Sequence, residues 1–275
     1  MKERLRIGAV IYDPRVKLIW DIISEFFNSS GYPVGYALYS NYDLLVGALA
    51  DGHVEIAWNS PLAWLDLQRR TGGQCRAVAM RDTDRDRVSH ILVRRDSGIE
   101  APGDLRGRTI STGAFDSPQS HLLPLHLLRQ HGLVPGQDVA IRRHDLMTGL
   151  HGDHVGGELE ALRDVQRGDS DGCAVLDLNW DSWQADGTAD ASVLVPLVST
   201  QPFDHCNFSV LNGFPLDEQE RWCTLLMSMS YDNPKHKEMM DLEGLRAWLP
   251  GRTTGYRDLA EAAREEGFFS GEADG

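Results

Sequence analysis

Hydrophobic and polar positions follow two different periods along the chain, and together they predict an α/β fold. Short apolar runs such as LRIGAVIY (5–12) and VEIAW (54–58) are typical of strands. The segment RVKLIWDIISEFFNSSG (15–31) instead places its apolar residues on one helical face and ends at a glycine. Strand-like and helix-like segments that alternate in this way favour mainly parallel sheets with helices on their faces.

The same alternation continues through the second half of the chain. The predicted elements are the strand SHILVRRDSG (89–98), the helix SPQSHLLPLHLLRQHGL (117–133), the strand DVAIRRHD (138–145), the helix GGELEALRDVQRGDSD (156–171) and the strand GCAVLD (172–177). Beyond residue 211 the pattern becomes helical, and both DEQERWCTLLMSMS (217–230) and LEGLRAWLP (242–250) are expected to be helices.

Composition narrows the function classes. The 275 residues, 41% of them hydrophobic, suffice for one large or two medium domains. No apolar run approaches the roughly 20 residues that a membrane span needs, so no membrane insertion is expected. A formal net charge of −14 disfavours nucleic acid and anionic membranes as partners. A small anionic ligand is still compatible with this charge, because local dipoles can bind it.

The cysteines and the first residues bear on the compartment. Cys75, Cys173, Cys206 and Cys223 are widely spaced, which argues against a disulfide framework and a zinc ribbon. The opening MKERLRIGAVIYDP lacks the regions of a secretory signal, and this favours a cytoplasmic location. A periplasmic or extracellular location is the alternative if a leader segment has been removed.

Four stretches, in a fixed order, resemble the phosphate/phosphonate-binding components of ABC transporters. They are LRIGAVIYDP, YDLLVGALADGHVEIAWNSPLAWLDLQ, ILVRRDSGIEAPGDLRGRTISTGAFDSPQSHLLPLHLLRQHGLVPGQD and ALRDVQRGDSDGCAVLD. The resemblance covers roughly residues 5–260 and implies an α/β, two-lobed type II periplasmic-binding-protein fold with two hinge crossovers. The crossovers are expected near 90–93 and 198–203. Lobe one is then 1–92 plus 200–275, lobe two is 93–199, and the ligand lies in the cleft between them.

Two polar corners are the first candidate ligand contacts. Ligands of open α/β sheets bind beyond the carboxyl ends of strands, where helix N-termini offer free N–H groups. Asn59 and Ser60 form such a corner between a strand and a helix, and Pro61 suits the first helical turn. Ser60 can cap the helix, contact the ligand, or do both.

The second corner is FDSPQSHLL (115–123), where the resemblance implies a Ser/Thr-rich helix start that binds an anionic head group. Ser117 matches the first hydroxyl residue of that pattern. Pro118 and Gln119 replace a threonine and a serine, and Ser120 stands where the family often has glycine. Proline removes one N–H donor, and the longer Gln119 amide favours a larger or less charged ligand. An ordinary Ser-Pro helix cap is the alternative.

The resemblance implies three further ligand contacts, each with a simpler alternative. Tyr42 matches a ligand-facing tyrosine but can equally be a packing residue. Asp204 matches an aspartate that binds the amine of an aminophosphonate, or it caps a turn. Asp177 follows the strand GCAVLD and is expected to line the cleft. The tryptophans at 58, 64, 180 and 183 are expected in the cores.

An unusual loop, RRHDLMTGLHGDHVGGELEAL (142–162), stands where the family has a ligand-binding histidine. That position falls near Glu158, so His144, His151 and His154 are the alternative candidates. The glycines between His144 and Glu158 predict that this part of the loop is a flexible lid over the ligand, whereas a solvated surface loop is the simpler interpretation. His151 and His154, together with the pair His205–Cys206, are only loosely spaced for a metal, and no metal site is assigned.

Two functions from different classes fit these residues. The first, which we favour, is a solute-binding protein for a small polar or anionic ligand, a phosphonate- or phosphate-like oxyanion. Its partner would be an ABC transporter permease if the protein is exported. The second is a cytoplasmic enzyme, a lyase or biosynthetic enzyme with His/Asp acid–base chemistry, although no catalytic residues can be named. No cofactor is expected, and a cytoplasmic metabolite sensor is a third interpretation.

Overall fold

Two β-sheets organise the residues that the computed structural model describes, 4–153 and 155–269. Each sheet belongs to a compact unit. Unit 1 comprises residues 4–85 and 204–255, and unit 2 comprises residues 86–203 and 256–269. Both units mix strands with helices, as the alternating sequence pattern predicts.

The elements of the described residues follow in chain order. The strands are β1 (Leu5–Val10), β2 (Val34–Tyr39), β3 (Ile56–Asn59), β4 (Cys75–Arg81), β5 (Ser89–Arg94), β6 (Thr109–Thr112), β7 (Ala140–Arg143), β8 (Gly172–Leu176), β9 (Leu194–Ser199), β10 (Asn207–Leu211) and β11 (Trp248–Pro250). The helices are α1 (Arg15–Ser29), α2 (Tyr42–Ala50), α3 (Pro61–Arg70), α4 (Leu123–Gln130), α5 (Gly156–Arg167), α6 (Asp177–Ala185), α7 (Leu216–Met227), α8 (Pro234–Leu242) and α9 (Arg257–Glu265).

The sheet of unit 1 has the strand order β11-β4-β10-β3-β1-β2. Strand β1 pairs in parallel with β2 and β3, whereas β10 runs antiparallel to both β3 and β4. The carboxyl ends of β1 to β4 therefore share one edge of the sheet with the amino end of β10. Aromatic rings fill the hydrophobic core of unit 1, where Trp222 of α7 stacks on Phe27 of α1 with ring centroids 5.6 Å apart.

The sheet of unit 2 has the order β7-β6-β8-β5-β9. Strand β6 is parallel to β7 and β8, while β5 runs antiparallel to its neighbours β8 and β9. The carboxyl ends of β6, β7, β8 and β9 therefore meet at one edge, which also carries the amino end of β5. This edge positions the polar segments described below.

The division of the chain differs from the one that the sequence predicts. The first passage between units falls at 85/86 rather than near 90–93, because all of β5 belongs to the second sheet. The second falls at 203/204, just past the predicted window of 198–203. A further passage at 255/256 was not predicted and returns the chain to unit 2.

Helix α9 accounts for this last passage. Glu265, the last residue of α9, lies 2.9 Å from His126 Nδ1 of α4. The next residue, Glu266, lies 2.5 Å from Arg129, which also belongs to α4. Leu259 and Ala262 of α9 are also fully buried. Residues 256–269 therefore belong to unit 2 in this division, whereas the sequence predicts lobe one for 200–275.

Three other expectations can be compared with the structure. The segment 242–250 is not helical, because α8 ends at Leu242, Gly244 adopts a φ of +68°, and β11 follows. The tryptophans expected in the cores, Trp58, Trp64, Trp180 and Trp183, are all buried. Among the helices of the described residues, none combines the length and apolarity that a bilayer span requires.

Candidate functional site

The SPQSH segment forms a tightly closed corner at the carboxyl edge of unit 2. Ser117 is the N-cap of a π-helical turn, Pro118–Leu122, that leads into α4. Its Oγ accepts a hydrogen bond from the backbone N–H of Ser120 at 3.2 Å and another from the Ser120 hydroxyl at 2.7 Å. Ser117 thus forms the helix cap that was the alternative to a ligand contact, its ligand contact stays a prediction, and the two hydroxyls form a buried pair.

Gly113, which follows β6, makes this pair possible. A Cβ added at Gly113 would lie 2.1 Å from Ser120 Oγ. Its backbone N–H also donates to the Ser120 carbonyl at 3.1 Å. The strand end and the helix start are thus in direct contact, which fixes the hydroxyls at the end of β6.

The loop after β7 packs directly on this corner. Asp116 Oδ2 accepts the backbone N–H groups of Gly149 at 2.6 Å and His151 at 3.3 Å. Gln119 Nε2 donates to the Gly152 carbonyl at 2.8 Å. Gly152 has a φ of +81°, and a Cβ there would come within 2.5 Å of Ser117 Oγ. Only glycine therefore allows the loop to approach the hydroxyl pair so closely.

Buried polar atoms with incomplete hydrogen bonding gather at the same edge. Within the described residues, Asp116 Oδ1, Gln119 Oε1 and Ser89 Oγ have no hydrogen-bond partner. Ser89 begins β5 and pairs with Leu176 at the end of β8, which brings it to this edge. Because buried polar groups are normally satisfied, such a concentration marks a candidate binding site.

Asp116 gives this region a testable pH dependence. Burial raises the pKa of its carboxyl, the N–H bonds from Gly149 and His151 oppose this, and Asp145 raises the pKa further. When folding raises the pKa of a carboxyl group, the folded protein is stabilised in the protonated form. This stabilisation is complete below the pKa of the unfolded protein, about 3.9, and is lost as the pH rises through the pKa of the folded protein. We expect Asp116→Asn to raise the Tm at pH 7, because a neutral amide keeps an acceptor for the loop. The advantage should disappear below about pH 4.

Asp145→Asn is the matched control for that prediction in thermal melts between pH 3 and 8. The pKa of Asp145 is lowered, since burial is outweighed by Arg143 and by the N–H of Phe115. Its replacement should therefore reduce the Tm at pH 7 and not at pH 3. The same sign of change in both variants would contradict the assignment.

His144, one of the three candidate histidines, forms a hydrogen bond within unit 2. His144 Nε2 lies 2.7 Å from Asp164 Oδ2 of α5. Glu158, also expected at the ligand, uses Oε1 to accept the Leu176 N–H at 2.7 Å and the Asn179 amide at 3.0 Å. Both side chains hold α5 to its neighbours, and their ligand contacts stay predictions. His154 lies outside the described residues.

Sequence reasoning missed a buried histidine in the same corner. His121 Nδ1 lies 2.9 Å from Thr112 Oγ1 at the end of β6. Burial lowers the pKa of His121 to about 4, and the charges of Arg143 and Arg129 act in the same direction. The imidazole is therefore neutral at pH 7. Its position within SPQSHLL, just inside the helix start, is the signal that could have found it.

The corner of unit 1 has the same construction. Ser60 is the N-cap of α3, its Oγ accepts the N–H of Ala63 at 3.1 Å, and Pro61 occupies the first helical position. The predicted capping role is confirmed. Asn59, fully buried at the end of β3, has no hydrogen-bond partner for either amide atom among the described residues. Tyr42, the first residue of α2, is also buried.

Asp204 is paired within unit 1. Its carboxylate accepts two hydrogen bonds from Arg252, at 2.8 and 2.5 Å, and is fully buried. An amine at this carboxylate would have to compete with the guanidinium. Asp177 is more accessible; it lies 3.4 Å from Arg87 and accepts the N–H of Leu178 at 2.9 Å.

Comparison with known proteins places the chain in a family. The chain matches the family model described as "ABC transporter, phosphonate, periplasmic substrate-binding protein" over residues 15–256. A 40-residue stretch is 48% identical to an uncharacterized protein of Haemophilus influenzae, which is 14% of this chain and 56% of that protein. The chain thus matches only about half the length of this relative.

Two solved structures are similar over almost the whole chain. PhnD1 from Prochlorococcus marinus, in complex with methylphosphonate, has a TM-score of 0.69 at 15% identity, covering 96% of this chain and 98% of that one. XAC2383 from Xanthomonas citri, bound to ATP, has a TM-score of 0.72 at 19% identity, covering 99% and 100%. At these identities the likeness shows the fold, and the expected type II periplasmic-binding-protein fold is confirmed.

The resemblance found in the sequence and the solute-binding role that it implied are therefore confirmed at the level of the family. Its described members are periplasmic, and no specific partner follows from the match. Since the family model covers residues 15–256, the chain belongs to the phosphonate-type periplasmic substrate-binding proteins of ABC transporters.

Proposed function

We propose that this protein binds a small phosphonate- or phosphate-like oxyanion without changing it chemically. Ser117 and Ser120 would bind the anionic head in unit 2 through their hydroxyls. Asn59 and Ser60 form the corresponding corner of unit 1, and the resemblance implies ligand contacts for them as well. Tyr42, Asp177 and the remaining expected contacts are secondary parts of the proposal.

The buried Ser117–Ser120 hydroxyl pair carries this proposal. Two hydroxyls 2.7 Å apart at a helix start offer donors that can rotate toward an oxyanion. Hydrogen bonds to a charged oxygen are roughly twice as strong as those between neutral groups, and a helix N-terminus favours negative charge. The adjacent Gln119 Oε1 and Asp116 Oδ1 are buried acceptors, so they favour an oxyanion that can also donate, such as a monoprotonated phosphonate.

The loop 145–153 is the proposed lid of this site. Its hydrogen bonds to Asp116 and Gln119 support the proposal, because the lid and the hydroxyl pair then share the same anchoring residues. Ligand entry would require these bonds to open and closure would restore them.

The pairing of Asp204 with Arg252 supports a ligand without an amine. A free buried carboxylate would strengthen the binding of an aminophosphonate by roughly 1.5–3 kcal/mol, about ten-fold or more in affinity. With Arg252 already bound, we expect methylphosphonate and 2-aminoethylphosphonate to bind with affinities within about three-fold of each other. A preference of ten-fold or more for 2-aminoethylphosphonate would instead support the expected contact between Asp204 and the amine of the ligand.

The protein is first unfolded and refolded, because this removes any co-purified ligand. Calorimetry on the refolded protein then tests the proposed function. Methylphosphonate and inorganic phosphate should bind, and methanesulfonate should bind more weakly, because it cannot donate to Asp116 and Gln119. Phosphorus NMR of the recovered ligand should show it unchanged. Absence of binding by both phosphorus oxyanions, or their conversion to a new species, would overturn the proposal, and conversion would favour the enzyme interpretation.

The proposal extends to location and partner. A substrate-binding component delivers its ligand to an ABC transporter permease, and this requires the outer side of the membrane. We therefore propose a periplasmic location, in place of the cytoplasmic one that the first residues favour. Fractionation of the native host tests it, and recovery of the protein with cytoplasmic markers alone would exclude delivery to a permease.

A further inference from the structure

A mixed cluster of buried metal-ligating side chains lies at the carboxyl edge of the unit 1 sheet. Asp84 follows the end of β4, and His205 and Cys206 directly precede β10, which is the neighbour of β4 in the sheet. All three are buried. Each offers one oxygen, nitrogen or sulfur atom, and these atoms lie within 4.8 Å of one another.

The spacing of these atoms fits a tetrahedral ion. His205 Nδ1 lies 3.1 Å from Cys206 Sγ and 3.6 Å from Asp84 Oδ1. A tetrahedral zinc ion, with Zn–S of about 2.3 Å and Zn–N and Zn–O of about 2.0–2.2 Å, separates its ligand atoms by roughly 3.3–3.6 Å. The observed distances bracket this value, so small side-chain movements would complete the geometry.

Arg81 is the apparent obstacle, because its guanidinium contacts the same carboxylate. Arg81 NH2 donates to Asp84 Oδ1 at 2.7 Å, and Arg81 NH1 lies 3.1 Å from Glu243. Two carboxylates thus contact one guanidinium in this region. A divalent cation that binds with loss of the Cys206 proton would add a positive charge beside these carboxylates.

We propose that Asp84, His205 and Cys206 form a binding site for a divalent transition metal with a preference for zinc. The thiolate, imidazole and carboxylate donors are the set that zinc uses in proteins. The remaining position would be held by water. Bound metal would join the segment after β4 to the segment before β10, next to the points where the chain leaves and re-enters unit 1.

Metal titration of the chelator-treated full chain tests the site. We expect one zinc ion per chain in competition with a chromophoric chelator, and an increase in Tm on binding. Cobalt should give the absorption of a thiolate-to-cobalt charge transfer. Cys206→Ser should remove this band and weaken zinc binding by at least about ten-fold, the loss that even an outer-shell change can cause.

Cys223→Ser is the matched control, because Cys223 lies in unit 1 outside the cluster and donates to the Val78 carbonyl at 3.6 Å. It should keep both the band and the affinity. If Cys206→Ser does not fold, the test rests on the cobalt spectra of the unmodified protein and of Cys223→Ser, and both should show the charge-transfer band. Absence of a charge-transfer band in either folded protein, or its persistence in Cys206→Ser, would overturn the site. Phosphonate binding does not enter this test.

Discussion

Replacing Asp164 by alanine is expected to destabilise unit 2 by roughly 2–3 kcal/mol, because it removes hydrogen bonds to a carboxylate and leaves a buried hydroxyl without its acceptor. Asp164 Oδ2 accepts hydrogen bonds from Ser111 Oγ and His144 Nε2, both at 2.7 Å. Asp164 Oδ1 accepts one from Arg167 at 2.7 Å. The variant would leave Ser111, which is fully buried, without this partner, while Arg167 and His144 can still reach water.

The loss should depend on pH in a defined direction. Burial alone would raise the pKa of Asp164, but Ser111, His144 and Arg142 together lower it. Stability from a lowered acid pKa is present above the unfolded value of about 3.9 and is lost as pH falls through the folded pKa. The difference between the variant and the unmodified protein should therefore be full at pH 7 and small at pH 2.5.

Urea denaturation at both pH values measures this difference. Asp169→Ala is the control, because Asp169 pairs with the same Arg167 but is half exposed. Its effect should stay within about 0.5 kcal/mol at either pH. Equal effects of the two substitutions at pH 7 would show that Asp164 does not organise the β6–α5 contact.

The second large effect is expected in ligand binding. Ser117→Ala combined with Ser120→Ala should weaken the binding of methylphosphonate by about 100-fold or more, since each lost hydrogen bond to a charged group costs roughly 1.5–3 kcal/mol. The loss of the Ser117 cap should also lower the free energy of unfolding by about 1 kcal/mol. Calorimetry and thermal melts separate the two effects.

Ser170→Ala is the matched control for this pair. Ser170 is buried and donates to the Gly172 carbonyl at 3.2 Å, but it precedes β8 and so lies at the opposite edge of the same sheet. The affinity of the Ser170→Ala variant for methylphosphonate should equal that of the unmodified protein. If the double variant binds as tightly as the control, the hydroxyl pair is not the anion site.

The corners could be predicted because their signals are local. Ser60-Pro61 and Ser117-Pro118 each stand between an apolar strand and an apolar-periodic helix, and both serines cap those helices in the structure. A cap depends on residues within one turn of the chain. The alternation of elements likewise depends on short-range periodicity, and it predicted most strands and helices.

The contacts of the loop after β7 could not be predicted, because they join residues far apart in sequence. Asp116 binds N–H groups 33 and 35 positions away, and His144 binds a carboxylate 20 positions away. Nothing in the local pattern distinguishes His144, bound to a helix, from a histidine that faces a ligand. The family position at Glu158 identified the segment but not the orientation of its side chains.

The division into units differs from the predicted one for a related reason. The chain around the end of α9 contacts α4 through a hydrogen bond of Glu265 to His126 and an ion pair of Glu266 to Arg129, 139 and 137 positions apart in the chain. Strand β4 was also overlooked, because the arginines at its ends, Arg76 and Arg81, interrupt a short apolar run. Both guanidinium groups donate hydrogen bonds to backbone carbonyls of the distant segment 212–243. These bonds offset the cost of placing charged side chains in a strand.

Hydrogen–deuterium exchange with and without saturating methylphosphonate tests the central claim most directly. If the oxyanion binds at the Ser117–Ser120 corner under the loop, slower exchange should concentrate in residues 113–122 and 145–153, with a further effect at 59–63. The opposite edge of the unit 2 sheet, including residues 168–172, should be unchanged. Protection confined to other segments, or none at a concentration where calorimetry detects binding, would contradict the account.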